Sequence, residues 1–137
     1  MAHTPDQSNP LTGPFWRAAQ NEKLMLPRCL PCEKVVWYPE SQCPNCGGTL
    51  KWQEVSGRGT VAAFSIVHRP LFQNAKKWAP YMPALVSIDE DTEVRLVTQI
   101  IDCEPENVAC DTTVEVVFRE LKLPDGETYK APMFRPR

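Results

Sequence analysis

Apolar residues are spaced in two different ways along this 137-residue chain. Between Gly13 and Pro27 they recur near the helical period, as Phe15, Trp16, Ala19, Leu24 and Leu26, with a break at Asn21-Glu22-Lys23. The spacing predicts a short amphipathic helix over residues 14–20. After Gly59 the helical period is lost, and β-branched runs alternate with turn residues. That pattern predicts five strands, at 60–69, 84–89, 93–102, 113–121 and 129–134. In the third, Val94, Leu96, Thr98 and Ile100 share one face; in the fourth, Val114, Val116 and Phe118 do the same. Pro124-Asp125-Gly126 is a hairpin signal joining the last two strands.

The fold class is therefore mostly β, with one short helix. Five such strands suit a small OB-type barrel, an SH3-like barrel being the alternative that periodicity does not separate. The composition shifts divide the chain into a loose polar arm at 1–13, a helix and cysteine module at 14–56, and a barrel at 57–137, with Ser56-Gly57-Arg58-Gly59 as the hinge.

Between helix and barrel stand Cys29-Leu-Pro-Cys32 and Cys43-Pro-Asn-Cys46-Gly47-Gly48, flanking Val35, Val36, Trp37 and Tyr38, which read as a knuckle, a strand and a second knuckle. Each Cys-x-x-Cys turn offers two soft thiolates, and two turns complete the tetrahedron that one Zn(II) requires. Four protein ligands leave no open position, so Cys29, Cys32, Cys43 and Cys46 predict one structural zinc ion rather than a catalytic one. Mononuclear iron, a redox dithiol and a disulfide scaffold are the rival readings. No apolar run approaches a membrane span and the polar opening is unlike a signal peptide, which predicts a reducing, cytoplasmic setting.

Charge changes the picture of the barrel. Residues 57–88 carry Arg58, Arg69, Lys76 and Lys77 and no acid, whereas 89–115 carry nine acids against Arg95 alone. The whole chain has a net charge of -2, and a filled zinc site makes it more negative. A generic nucleic-acid binder needs a basic surface, so single-stranded nucleic-acid binding stands as the alternative function rather than the leading one.

The basic stretch contains a long loop between the first two predicted strands, with Phe72, Lys76, Lys77, Trp78 and Tyr81. Loops of this length in compact domains usually carry function. Cations beside rings suit a phosphate-bearing ligand with a ring to stack, or a protein interface; the bland alternative is that the rings cap the barrel. No catalytic set accompanies it. His3 lies in the arm, His68 at a strand end without a nucleophile pattern, and Cys103 and Cys110 are expected to be small buried hydrophobes; enzymatic use of either would require a thiolate of lowered pKa.

Taken in order, Phe15-Trp16, Leu24 to Cys29, Cys32, Tyr38-Pro39, Cys43 to Gly47, Gly57-Arg-Gly59-Thr60-Val61, Val67-His68-Arg69, Pro83 to Val86 and Phe134-Arg135-Pro136 resemble the domain-of-unknown-function 35 family. The resemblance spans residues 14–135. It implies a rubredoxin-like zinc ribbon followed by an OB fold, in a non-catalytic accessory subunit of an acyl-CoA enzyme. The implied partners are thiolases first, including those of aromatic degradation, then thiolase-like aldolases and hydratases, in a hetero-oligomer with a coenzyme A thioester near the interface. Arg58, His68, Arg69, Phe72, Lys76, Lys77, Trp78 and Tyr81 are then the residues for CoA or partner contact. The acidic turn Asp89 to Glu93 departs from the family pattern, which often has a glycine there, so contacts made by that turn are not carried over.

Overall fold

A computed structural model describes residues 4–71, 76 and 79–137. His3, Phe72, Lys77 and Trp78 lie outside the described residues. The chain forms two compact units, Met1–Gly57 with Val117–Pro132, and Arg58–Val116 with Met133–Arg137.

In the first unit, turns around Asp6, Ser8 and Asn9 lead into α1, Gly13–Gln20. Pro14 opens the helix, where a missing N–H is harmless, and Gly13 is required because a Cβ there would meet the Gln7 carbonyl oxygen at 2.4 Å. Phe15, Ala18 and Ala19 are buried, as one amphipathic face demands. Rings continue outward from this face. Phe15 packs on Trp37 at 4.8 Å and edge-on to Trp16 at 5.0 Å, and Trp16 meets Tyr129 edge-on at 5.9 Å.

Leu24 and Leu26, which the helical spacing included, instead belong with strand β1, Met25–Cys29, as its buried flank and interior. The helix stops because Glu22 takes a left-handed conformation, and Leu24 and Leu26 then bury on one side at the period of two. β1 pairs antiparallel with β2, Leu50–Glu54, a strand absent from the sequence reading. The strand expected at Val35–Tyr38 is reduced to a single bridge from Val35 to Arg28.

The five barrel strands are β3, Arg58–Phe64; β4, Met82–Ile88; β5, Asp91–Ile100; β6, Thr113–Lys122; and β7, Thr128–Pro136. They close in the order β3-β4-β5-β7-β6, with β3 pairing back on β6 and β5 running parallel to β7 at Ile100 and Phe134. This is the OB arrangement, which settles the choice against an SH3-like barrel. In the second unit Val61, Val86, Ile88, Ile100, Val114 and Phe134 are almost fully buried and form its core. Val94 and Leu96 are buried with Ile100 as their period requires, and Thr98 is half-buried. Val116 and Phe118 are only half-buried.

The first barrel strand ends five residues earlier than expected. A bulge between Val61 and Ala63 shifts the register, and beyond Phe64 the ladder thins to the Ser65 N–H donated to the Pro83 carbonyl at 3.0 Å and the Val67–Tyr81 bridge. Among the described residues, no helix is long and apolar enough to cross a membrane.

Candidate functional site

Cys29 closes β1, and the other three ribbon cysteines lie on the two turns that follow. The turns are built alike. The Cys29 carbonyl accepts the Glu33 N–H at 2.9 Å while Cys29 donates its N–H to the Lys34 carbonyl at 2.8 Å. The Cys43 carbonyl accepts from Gly47 at 2.8 Å while Cys43 donates to the Gly48 carbonyl at 3.0 Å. Glu33 and Gly47 both have positive φ, 65° and 73°, so each knuckle bends through a left-handed residue at the same place. Gly48 leaves room for the metal shell: a Cβ there would lie 2.9 Å from the Cys29 sulfur.

The four sulfurs lie within 4.8 Å of one another, with Cys29 to Cys46 at 3.4 Å and Cys32 to Cys43 at 3.7 Å. A tetrahedral zinc with Zn–S bonds of about 2.3 Å spaces its sulfurs at about 3.8 Å. A disulfide needs about 2.05 Å, so that reading is excluded and all six cysteines are free thiols. The site is positioned for one metal ion. Cys29 and Cys43 are buried and pack with Val36, while Cys46 is exposed and gives an ion access.

The thiols are unequal without a metal. Burial pushes Cys29 up to about 12, whereas the Lys34 backbone N–H draws Cys32 down to about 6. A divalent cation removes this conflict, because it stabilises the buried thiolate that water cannot reach.

Arg58 begins β3 and is exposed, at the opposite end of that strand from the loop that holds His68, Arg69 and Lys76, also exposed. Tyr81 is half-buried and bridges Val67, so His68 and Arg69 follow directly from a hydrogen-bonded pair. Arg58 is thus not gathered with the others. The expectation of two buried cysteines outside the ribbon fails: Cys103 is half-buried, and Cys110 is exposed with its sulfur 3.8 Å from the Ala62 carbonyl. Both sit on the polar crossing between β5 and β6, where little core is available. Burial, and then Asp102 and Glu104, push the Cys103 thiol up, the reverse of an activated nucleophile. Sequence reasoning missed Glu33 and Gly48 as supports of the knuckles; the matched spacing of Cys29–Glu33 and Cys43–Gly47 was the available signal.

Residues 16–51 match the family model described as the rubredoxin-like zinc ribbon domain of ChsH2, and residues 52–119 match that of its C-terminal OB-fold domain. A DUF35 domain-containing scaffold protein of Methanothermobacter thermautotrophicus is 33% identical over 89% of this chain and 93% of its own. One from Methanocaldococcus jannaschii is 36% identical over 73% of this chain and 70% of its own. A probable enoyl-CoA hydratase alpha subunit of Thermomonospora curvata is 32% identical over 89% of this chain, which covers 36% of that longer protein. Among solved structures, a chain of the Ltp2-ChsH2(DUF35) aldolase superposes with a TM-score of 0.80 and 28% identity, covering 96% of this chain and 98% of its own. A DUF35 structure from Sulfolobus solfataricus, at 17% identity and TM-score 0.61, shares the fold. With ribbon, barrel and length all matched, this chain belongs to the DUF35 family, as a zinc-ribbon and OB-fold scaffold or accessory protein.

Proposed function

We propose that this chain is a non-catalytic cytoplasmic subunit that docks on an acyl-CoA-processing enzyme, a thiolase or thiolase-like aldolase in first place and a hydratase in second. The observation that carries the reading is the near end-to-end correspondence with a chain of the Ltp2-ChsH2(DUF35) aldolase. The relationship to a probable enoyl-CoA hydratase alpha subunit supports the same substrate class. The chemistry of the chain agrees. Its ribbon has no open coordination position, and Cys103 is held as a thiol.

In this reading the ribbon and barrel are a platform, and Lys76, Lys77 and the rings of Phe72, Trp78 and Tyr81 are offered to the phosphates and base of coenzyme A. His68 and Arg69 extend the basic surface toward the partner, and Arg58, at the other end of β3, offers a separate contact. Acyl thioesters of aromatic degradation are the first substrates to try.

The test begins with the tagged full-length chain, recovered from the cells that make it, and identification of what co-purifies. A thiolase, aldolase or hydratase is the expected result. In the reconstituted complex, the Lys76→Ala, Lys77→Ala double substitution should raise KM for acyl-CoA and leave kcat near its original value. Unchanged kinetics would remove the lysines from the proposal. Recovery of no acyl-CoA enzyme, together with salt-sensitive binding of single-stranded DNA, would replace it with the nucleic-acid reading.

A further inference from the structure

β4 breaks the rule that an antiparallel strand with one wet face alternates apolar and polar residues. Its sequence, Met82-Pro-Ala-Leu-Val-Ser-Ile88, contains one polar side chain, and that Ser87 hydroxyl donates to the Thr92 carbonyl at 2.6 Å. Met82, Ala84, Val86 and Ile88 are buried in the barrel. Pro83, Leu85 and Ser87 therefore stand on the outer face. The strand reads as one covered on both sides.

The register carries this outer face across three strands. Leu85 lies between Ala63 of β3 and Val97 of β5, and Pro83 lies between Ser65 and Gln99. Val97 is 67% exposed, an unusual position for a β-branched apolar side chain inside a row of like residues. Together Ala63, Phe64, Pro83, Leu85 and Val97 line a shallow groove of about 270 Å3 whose walls are almost entirely carbon. In the same phase of the pleat, Val67 and Tyr81 prolong the strip to the base of the basic loop.

The charge nearest the groove is positive. β3, the loop and β4 hold no acid between Gly57 and Ile88. On β5, Arg95 pairs with Ser87 in the next row and separates Val97 from Glu93. Single-stranded nucleic acid is disfavoured as an occupant because its bases stack on successive aromatic platforms, whereas Phe64 is the one ring among the described residues that line this groove. A second copy is disfavoured because a two-fold contact would set the same basic rim against itself.

We infer that the outer face of β3, β4 and β5 is the surface on which the acyl-CoA enzyme docks, inserting an apolar side chain flanked by carboxylates between Leu85 and Val97. The inference rests on the scaffold reading above and adds the surface and the complementary chemistry of the partner.

The test compares the tagged full-length chain with Val97→Glu and Val97→Lys, measuring affinity for the enzyme identified with the original chain, alongside zinc content and melting temperature. Both substitutions add a charge at an exposed position, but only glutamate opposes an acidic partner. Val97→Glu should weaken binding about tenfold or more and Val97→Lys distinctly less. Undiminished binding by Val97→Glu overturns the inference while leaving the scaffold reading intact, and equal losses overturn the acidic partner. If no acyl-CoA enzyme binds the original chain, both readings fall together. Photocrosslinking from p-benzoylphenylalanine at position 97 reads the contact without depending on the stability of a charged variant. Capture of an acid-flanked apolar segment of the enzyme supports the inference, and capture of a second copy, or of nothing in the assembled complex, overturns it.

Discussion

Glu33 and Gly47 occupy equivalent places in the two zinc knuckles, each at positive φ, and only one of them is glycine. A non-glycine residue in the left-handed region costs about 1–2 kcal/mol, partly offset by the greater chain entropy that glycine loses on folding. Glu33→Gly should therefore hold zinc equally well and be neutral or more stable by up to about 1 kcal/mol. Its exposed side chain gives up little, because the contact to Arg28 is made by the Glu33 carbonyl, at 2.8 Å. Gly47→Val should lose about 1–2 kcal/mol for the opposite reason, and melting of the two zinc-loaded variants reads both. Cys43→Ser is different in kind. It replaces a buried soft ligand by a hydroxyl that zinc binds poorly, so metal analysis should fall from one zinc per chain toward none, with loss of partner recovery. Full zinc with lost turnover in the complex would move the ribbon into the chemistry. The four ligands were legible in the sequence because two Cys-x-x-Cys pairs name them. Glu33 was not, since nothing local marks a glutamate for a left-handed bend until the two turns are compared.

Among the strands, the approach of β3 to β4 depends on Gly59. A Cβ at that position would lie 2.3 Å from the Ser87 carbonyl oxygen, a backbone atom that cannot swing away. Gly59→Ala should separate the strands where Gly59 pairs with Ile88 and destabilise the protein by about 1–3 kcal/mol in chemical denaturation. An undiminished midpoint would mean that the barrel yields there. Strand periodicity and the Pro-Asp-Gly turn made all five barrel strands legible, and Gly126 indeed turns at φ 95°. The errors have physical causes. Leu24 and Leu26 fit both periods in so short a window, and β2 reads Leu-Lys-Trp-Gln-Glu with no β-branched residue, so it becomes a strand only because β1 offers it a ladder. The premature end of β3 depends on a bulge, which carries no marker in Val61-Ala62-Ala63.

Metal loss should be felt by the whole chain, because β6 and β7 each run through both compact units. Zinc binds thiolates, so protons compete with it and occupancy must fall as pH falls. The strongest competitor is Cys29, whose burial favours the thiol, held up to about 12 in the metal-free chain. Cys32 acts with the opposite sign there. Drawn down to about 6, below the ordinary 9.0, its thiolate stabilises the fold above pH 9 and that contribution is lost as pH falls toward 6. Cys29, raised above 9.0, contributes stability below pH 9 that is lost only as pH rises toward 12, outside the working range. Acidification from neutral pH therefore removes the metal and the Cys32 contribution together, and nothing in the Cys29 shift compensates for the vacated ligand set. Trp16, Trp37 and Trp52 belong to the first unit and Trp78 to the second, so in a Trp78→Phe background tryptophan fluorescence reports the first unit, while far-ultraviolet circular dichroism is weighted toward the barrel strands. The expected outcome is zinc release, followed with a chromophoric chelator, that takes up more than one proton per ion, with both optical signals then melting in one coincident transition at lower temperature. A fluorescence change that leaves the dichroic transition where it was would show that the shared strands do not couple the units, and that the zinc holds up the ribbon alone.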